Sequence, residues 1–590
     1  MNKWRLRMLV AAFLVAAIVE GAHTQEPEPP GRGGRPQFPG GRFGGPNRDN
    51  AQPPVGTAKI TGRVVSAETS SPIRRAQVRV TSRDAGLNRD VTTDSDGRFE
   101  ILALPAARYR LYVSKAGYVA LEYGQARPFE AGKPLDIADG QSLEKIDFSL
   151  PRGSVIAGRI SDEFGDPLTD VQVQVMRYQF TNGERQLVSA GRTSTTDDLG
   201  QFRVFGLMPG DYVVRASLRS NNSVAANPVD TLQGPQGYPG TYYPGVVELA
   251  QAQTITVAMG QELSSVAFQL VPARLSRISG SVMGSDGHAL AGAVVMLRAV
   301  GGAGVRMNLG GGNQVRPDGT FSLSNVPPGE YVLDVQQRPQ NVQNLQSLNV
   351  SELEFASVPL SVSADIDSLT VVTARGATAS GRIVFQGQNA QAATPRGIQV
   401  TATAPSGMPL IAAFAARALG GGRVNADGTF ELRGLFGLQT IRADGLPGGW
   451  SLKSILLDGG DITDAPFDFK PGTSASGLVV TLTDRVTDIS GAVRNGRGEL
   501  VADYVLVVFP EDEKLWTAPS RHVATTRPNQ NGNFSIKALP PGRYLAAVLP
   551  ALENGMQNDV ALLAQLRGRA ESFTLAEGQT LALNLEMTPQ

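Results

Sequence analysis

Five copies of one plan, read along the chain from Thr57 to the C-terminus, constrain this sequence more than any other feature, because a repeat of this length is a folding unit in itself. Each copy opens on a short apolar strand centred on a glycine: Ile60-Thr-Gly62, Ile156-Ala-Gly158, Ile278-Ser-Gly280, Thr378-Ala-Ser-Gly381 and Ile489-Ser-Gly491. These glycines lie 96, 122, 101 and 110 residues apart, which is one domain per copy. Alternating stretches follow, such as Ala76-Gln-Val78-Arg-Val80 and Val171-Gln-Val173-Gln-Val175. Period-two alternation marks a strand with one side on a core and the other in water. A turn and an aromatic come next: Asp96-Gly97-Arg-Phe99, Leu199-Gly200-Gln-Phe202, Asp318-Gly319-Thr-Phe321, Asp427-Gly428-Thr-Phe430 and Asn531-Gly532-Asn-Phe534. A tight hairpin turn needs positive φ, which Gly adopts freely and which Asn and Asp tolerate.

Five residues beyond each Phe stands an aliphatic residue (Leu104, Leu207, Val326, Leu435, Leu539), and ten beyond stands Tyr109, Tyr212, Tyr331 or Tyr544, with Thr440 in the fourth copy. Each copy closes on another alternating strand, for example Val266-Ala-Phe268-Gln-Leu270 or Leu583-Asn-Leu585-Glu-Met587. Seven or so short strands per copy predict an all-β chain of five tandem antiparallel β-sandwich modules, transthyretin-like or immunoglobulin-like. The expected boundaries are 57–152, 153–274, 275–375, 376–485 and 486–590. One helical run, Val560 to Leu566, is expected in the last. The junctions are short: Leu150-Pro-Arg-Gly-Ser-Val-Ile156 passes from closing to opening strand within a few residues, which predicts a semi-rigid rod.

Composition agrees. Gly 67 and Pro 38 suit many turns and disfavour long helices, and Lys+Arg 54 against Asp+Glu 54 leaves no net field for nucleic acid or an anionic membrane. The absence of Cys removes disulfides, thiolate metal sites and cysteine nucleophiles. Residues 1–24, with Lys3, Arg5 and Arg7 before an apolar run from Met8 to Val19 and small residues at Gly21 and Ala22, have the parts of a secretory signal peptide; an uncleaved anchor is the alternative. Residues 25–56, rich in Pro, Gly and Arg, have too little to bury to offset their ordering entropy and are expected to be a disordered spacer. The chain is expected to be exported to the periplasm, cell envelope or exterior, with no transmembrane segment once the leader is removed.

The succession of Gly-x-Val, Asp-Gly-x-Phe and Leu-Pro-x-Gly-x-Tyr resembles the carboxypeptidase regulatory-like domain, a transthyretin-like or prealbumin-like sandwich found in multi-repeat exported bacterial proteins. The resemblance runs through all the repeats and is weakest in the fourth. It implies kinship with starch-binding-like and collagen-adhesin B-type folds. In metallocarboxypeptidases this sandwich accompanies a separate catalytic domain and itself holds no zinc, so no enzyme activity is implied, and a shared fold carries no shared ligand.

Chemistry is sparse. The histidines are His23, His288 and His522, too few and too scattered for the three-ligand zinc site of a peptidase, and no Gly-x-Ser-x-Gly elbow or Walker loop occurs. No catalytic residue, metal ligand or cofactor is expected. Asp94-Ser-Asp96-Gly97 has the start of a calcium loop but lacks its closing Glu, and a hairpin turn is the better reading. Adhesin relatives carry Lys–Asn crosslinks; no Lys lies between Lys145 and Lys453, so the second and third repeats have none to offer. The Gly-rich stretch Gly301 to Gly312 has no phosphate-cradle register. The candidate ligand-stacking aromatics are Tyr238, Tyr242 and Tyr243, in a proline-stiffened loop within the longest repeat, and Trp450 and Trp516; against this stands the reading that the rings cap their own sandwich. The expected partner is a protein or a polysaccharide, not nucleic acid.

Overall fold

The computed structural model describes residues 56–587 except 182, 219–228, 232–233, 301–313, 339–352, 404–421, 517 and 519. The leader, most of the spacer and the stretch Gly301 to Gly312 lie outside the described residues. All the repeats belong to one unit, residues 53–590.

The chain is all-β, and each repeat follows one wiring. The opening strands, Ala58–Ser66, Ser154–Ser161, Ser276–Met283, Ala377–Gln386 and Asp488–Asn495, each pair antiparallel with the Phe strand of their repeat. On the other side they pair with the closing strand, and this pairing is parallel. A second, antiparallel sheet is built on the alternating strand and the Tyr strand, Gln77–Ser82 with Ala107–Ser114 in the first repeat and Val505–Pro510 with Gly542–Leu549 in the last. Apolar side chains from both sheets meet between them: Val64, Phe99 and Phe148 face Val78, Leu111 and Val113, all nearly or fully buried. Four further clusters, over residues 156–270, 278–371, 377–482 and 489–585, are built alike.

The repeated glycine has a steric cause. A Cβ on Gly62, Gly158, Gly280, Gly381 or Gly491 would lie 2.0, 1.7, 1.9, 2.1 or 1.8 Å from the carbonyl oxygen of Ile146, Val266, Leu369, Leu478 or Leu583. The closing strand therefore approaches only because there is no side chain there. Across the antiparallel pair, the register sets Gly62, Gly158, Gly280, Gly381 and Gly491 opposite Phe99, Phe202, Phe321, Phe430 and Phe534. The ring fills the room that the glycine leaves; the tip of Phe99 sits 2.8 Å from where the Gly62 Cβ would be.

The spacing of five from Phe to aliphatic also has a cause. In an undistorted strand, residues an odd number apart face opposite sides, yet Phe99 and Leu104 are both buried. The residue before the aliphatic takes a left-handed conformation in every repeat: Ala103 (φ 56°), Gly206 (79°), Asn325 (60°), Gly434 (69°) and Ala538 (63°). That kink, akin to a β-bulge, turns the next side chain back into the core.

Three departures were not foreseen. The fourth repeat has an extra hairpin strand, Ser451–Leu457, on the outer side of its closing strand. Its Tyr strand also starts one residue early: Gln439 pairs with Phe467 as Tyr544 pairs with Phe573, so Gln439 rather than Thr440 holds the tyrosine position. In the fifth repeat, Val505–Pro510 is buried on both faces because helix Val560–Arg567, capped by Asp559, lays Leu563 and Leu566 on its outer side beside Trp516.

Candidate functional site

The aromatics singled out from the sequence separate by burial. Trp516 is 1% exposed, gives its indole N–H to the Pro510 carbonyl at 2.7 Å and packs against Phe509. Tyr242 is 7% exposed, packed with Met176, Leu187 and Val213. Neither offers a face to a ligand, which corrects the stacking expectation for both: the rings complete their own repeats. Tyr243 is half-buried edge-on to Phe268, Trp450 half-buried edge-on to Phe385, and Tyr238 bonds through its hydroxyl to Glu163. The Asp94 carboxylate is taken up by two backbone N–H groups of its own turn, from Asp96 at 2.9 Å and Arg98 at 2.8 Å, as a hairpin requires.

The repeated tyrosines are corners. Tyr109, Tyr212, Tyr331 and Tyr544 each donate a hydroxyl to the carbonyl four residues earlier, at 2.7, 2.6, 2.9 and 2.7 Å. In the fourth repeat the Gln439 side-chain amide does similar work, donating to the Phe436 carbonyl at 3.1 Å. Burial raises the Tyr212 and Tyr331 hydroxyls to about 12.

The densest polar chemistry lies where repeats meet. Segment Arg127 to Asp136 of the first repeat reaches the fifth. Arg527, 4% exposed, is paired through Nη1 with Glu130 (3% exposed) at 3.2 Å, donates to the Ala131 carbonyl at 2.6 Å and also holds Asp503. Lys133 reaches Asp503 at 3.2 Å and the Ala502 carbonyl at 2.7 Å. Asp136 accepts from Asn529 at 2.9 Å, and Gln530 makes two bonds to the Asp136 backbone at 2.7 and 3.1 Å. The Asn554 N–H donates to the Phe129 carbonyl at 3.0 Å. From the second repeat, Arg177 stacks on the Phe129 ring and pairs with Glu553. First, second and fifth repeats are thus clasped together, and the end-to-end rod expected from the short junctions does not hold. Short linkers limit hinge freedom but do not set its direction.

A second polar joint links the fourth repeat to the fifth. Asp464 takes Arg521 at 2.7 Å and His522 Nε2 at 3.1 Å, while His522 Nδ1 meets the Tyr544 hydroxyl at 3.1 Å. Burial alone would raise the Asp464 carboxyl, but the bonds from His522 and Arg521 outweigh it and hold it well below the usual carboxylate range. The Tyr544 hydroxyl donates to Pro540, so the arrangement is a structural chain of hydrogen bonds with no activated nucleophile. Sequence reading missed both joints, since the partners lie 58 and several hundred positions apart.

Fold and joints together define a chain of tandem β-sandwiches cross-braced by inter-repeat ion pairs. Residues 59–151 match the family model of the carboxypeptidase regulatory-like domain, which spans the first repeat. No curated protein matches the chain. Among solved structures, the chain is similar to a streptococcal ancillary pilin (14% identity, 54% of this chain and 98% of that one, TM-score 0.21). It is also similar to the Bacillus anthracis TIE protein (11%, 73% and 73%, 0.14) and to GBS52, the minor pilin of Streptococcus agalactiae (14%, 37% and 98%, 0.20).

Proposed function

We propose that this is an exported, non-catalytic structural and interaction protein of the cell envelope or exterior, whose sandwiches, bounded at 57–152, 153–274, 275–375, 376–485 and 486–590, present loops to a protein or polysaccharide partner. The observation that carries it is where the buried charge goes: Arg527 with Glu130 joins the fifth repeat to the first, Asp464 with Arg521 and His522 joins the fourth to the fifth, and both hold surfaces in fixed relation. Among the described residues, no group of three or more His, Asp or Glu is placed to hold a metal ion, and no helix is long and apolar enough to cross a membrane. The leader-like residues 1–24 support export. Cell fractionation followed by crosslinking in place tests this reading: the protein is expected in the envelope fraction or the medium, crosslinked to a partner. Recovery in the cytoplasm with its N-terminus intact overturns it.

A polysaccharide is the second reading for the partner, supported by the three half-buried rings Tyr238, Tyr243 and Trp450. Retention on insoluble polysaccharide, lost in Tyr243→Ala or Trp450→Ala, supports it; retention unchanged by either rejects those rings. An accessory role beside a peptidase is the third reading and rests on the family description alone.

A further inference from the structure

The closing strands of the repeats differ in how their outer edges are finished. In the first repeat the strand is split into Ser142–Leu143 and Phe148–Leu150. In the second, third and fourth, its parallel ladder with the opening strand shifts register, between Ile156 and Gly158, Ile278 and Gly280, and Ala379 and Gly381. In the fifth the ladder runs unbroken, Asp488 to Asn495 against Thr580 to Met587. Breaks of this kind, like Lys and Pro, keep a sheet edge from pairing with another chain. Thr580–Met587 contains neither residue.

The segment that follows the Tyr strand differs in the same way. It pairs just past the closing strand in the first three repeats: Tyr118 with Arg152, Gln236–Gly237 with Ala273–Arg274, and Glu354–Phe355 with Ala374–Arg375. In the fourth it lies antiparallel along the closing strand itself, as Ser451–Leu457, with Ile455 and Leu457 buried in the core. In the fifth it forms helix Val560–Arg567 on the other sheet, and among the described residues no strand pairs with the outer edge of Thr580–Met587. The Asp488 N–H donates to the Gln579 carbonyl at 3.0 Å. In a parallel ladder this turns the N–H and C=O of the alternate residues Thr580, Ala582, Asn584 and Glu586 away from the opening strand. Those four residues are exposed, and the ion pairs from the fourth repeat fall on Glu577, before the strand begins.

A strand that finished this edge as the fourth repeat finishes its own would be extended, antiparallel and apolar at alternate residues. Thr580–Met587 itself meets that description, with Leu581, Leu583, Leu585 and Met587 alternating with Thr, Ala, Asn and Glu. Paired antiparallel with its own copy, it sets Asn584 against Asn584, Ala582 against Glu586, Leu583 against Leu585 and Leu581 against Met587, so apolar residues meet and no like charges are opposed. We propose that two copies of this chain join through the outer edges of Thr580–Met587, merging two three-stranded sheets into one across a two-fold axis. This does not depend on the partner proposed for the loops.

The test is analytical ultracentrifugation of the purified full chain from about 1 to 100 µM, the range in which a small interface associates. A dimer is expected, weakened about tenfold or more by Ala582→Pro, which removes an outward N–H and no bond to the opening strand. Trp516 fluorescence in urea checks that this variant folds as the wild type does. Because the chain has no Cys, Asn584→Cys gives a second readout that needs no proline variant. A short bis-maleimide should join it into a covalent dimer far faster than it joins Glu100→Cys, an exposed position in the first repeat. A monomer throughout that range, a dimer that Ala582→Pro leaves as tight, or equal crosslinking at the two cysteines would overturn the proposal.

Discussion

Replacing Arg527 by Met tests the clasp most directly. The Arg527 and Glu130 side chains are 2% and 1% exposed, so solvent screens their interaction little, and Arg527→Met leaves Glu130 buried with its principal counter-ion gone. Breaking one partner of a buried pair costs about 3–5 kcal/mol, whereas replacing both by apolar residues is close to neutral. With about 1.4 kcal/mol per tenfold, the single change should shift the closing equilibrium toward the open form by roughly a hundred- to a few-thousandfold. Arg527→Met with Glu130→Leu should recover most of that. The chain has no Cys, so a dye pair on Asp139→Cys in the first repeat and Asn531→Cys in the fifth labels cleanly. Energy transfer followed through a urea titration should fall at lower urea in the single variant than in the wild type or the double variant. If Arg527→Met matches the wild type, or if the two substitutions simply add, the reasoning that the buried ion pair holds the seam is wrong.

Four other outcomes follow from the repeats. Ala538→Gly should stabilise the fifth repeat by about 0.5–1 kcal/mol, since relief of a left-handed Ala outweighs the added freedom of the unfolded chain; Trp516 fluorescence during urea unfolding reads it, and a loss would refute the strain. Gly491→Ala should be strongly destabilising by the same readout, because its Cβ would sit 1.8 Å from the Leu583 carbonyl oxygen; a neutral result would mean that the closing strand yields easily. Asp464 has a depressed folded-state value, so its contribution is present above its ordinary value of about 3.9 and fades as pH falls through the lower one. An acid titration of stability should therefore lose part of its slope below about pH 4 in Asp464→Asn, and an identical slope would count against the joint. Tyr212 and Tyr331 are raised to about 12 by burial, so the stability they confer holds below about pH 10 and is lost as pH climbs from there through about 12; ultraviolet titration should show them among several late-ionising tyrosines, with Tyr238, Tyr504 and Tyr544, and in urea the buried ones should become ordinary.

Much of the sandwich was legible because its requirements are local. The Asp96-Gly97 and Asn531-Gly532 turns form through positive φ at Gly97 and Gly532 and through side-chain caps from Asp94 and Asn529, and Val171, Val173 and Val175 alternate because a strand does. The signal for the left-handed kink was also present: an odd Phe-to-aliphatic spacing with both residues apolar is incompatible with a flat strand. Thr440 was misplaced because one residue is missing from the turn before it, and only strand register reveals that Gln439 takes the corner. For Trp516 and Tyr242, an aromatic in a loop reads alike whether it points outward or inward, and its neighbours Phe509 and Met176 decide.

The glycine, the turn, the Phe and the corner tyrosine of each repeat are set by backbone geometry and by contacts between adjacent strands, so the sequence by itself determined the class of fold and where it recurs. How the repeats meet was decided by tertiary structure alone. Arg527 meets Glu130 nearly four hundred positions away, and an ordinary arginine becomes a buried clasp only through the docking of two surfaces that no local pattern encodes. The same docking leaves the Arg527 Nε–H and the Glu130 Oε1 without partners among the described residues.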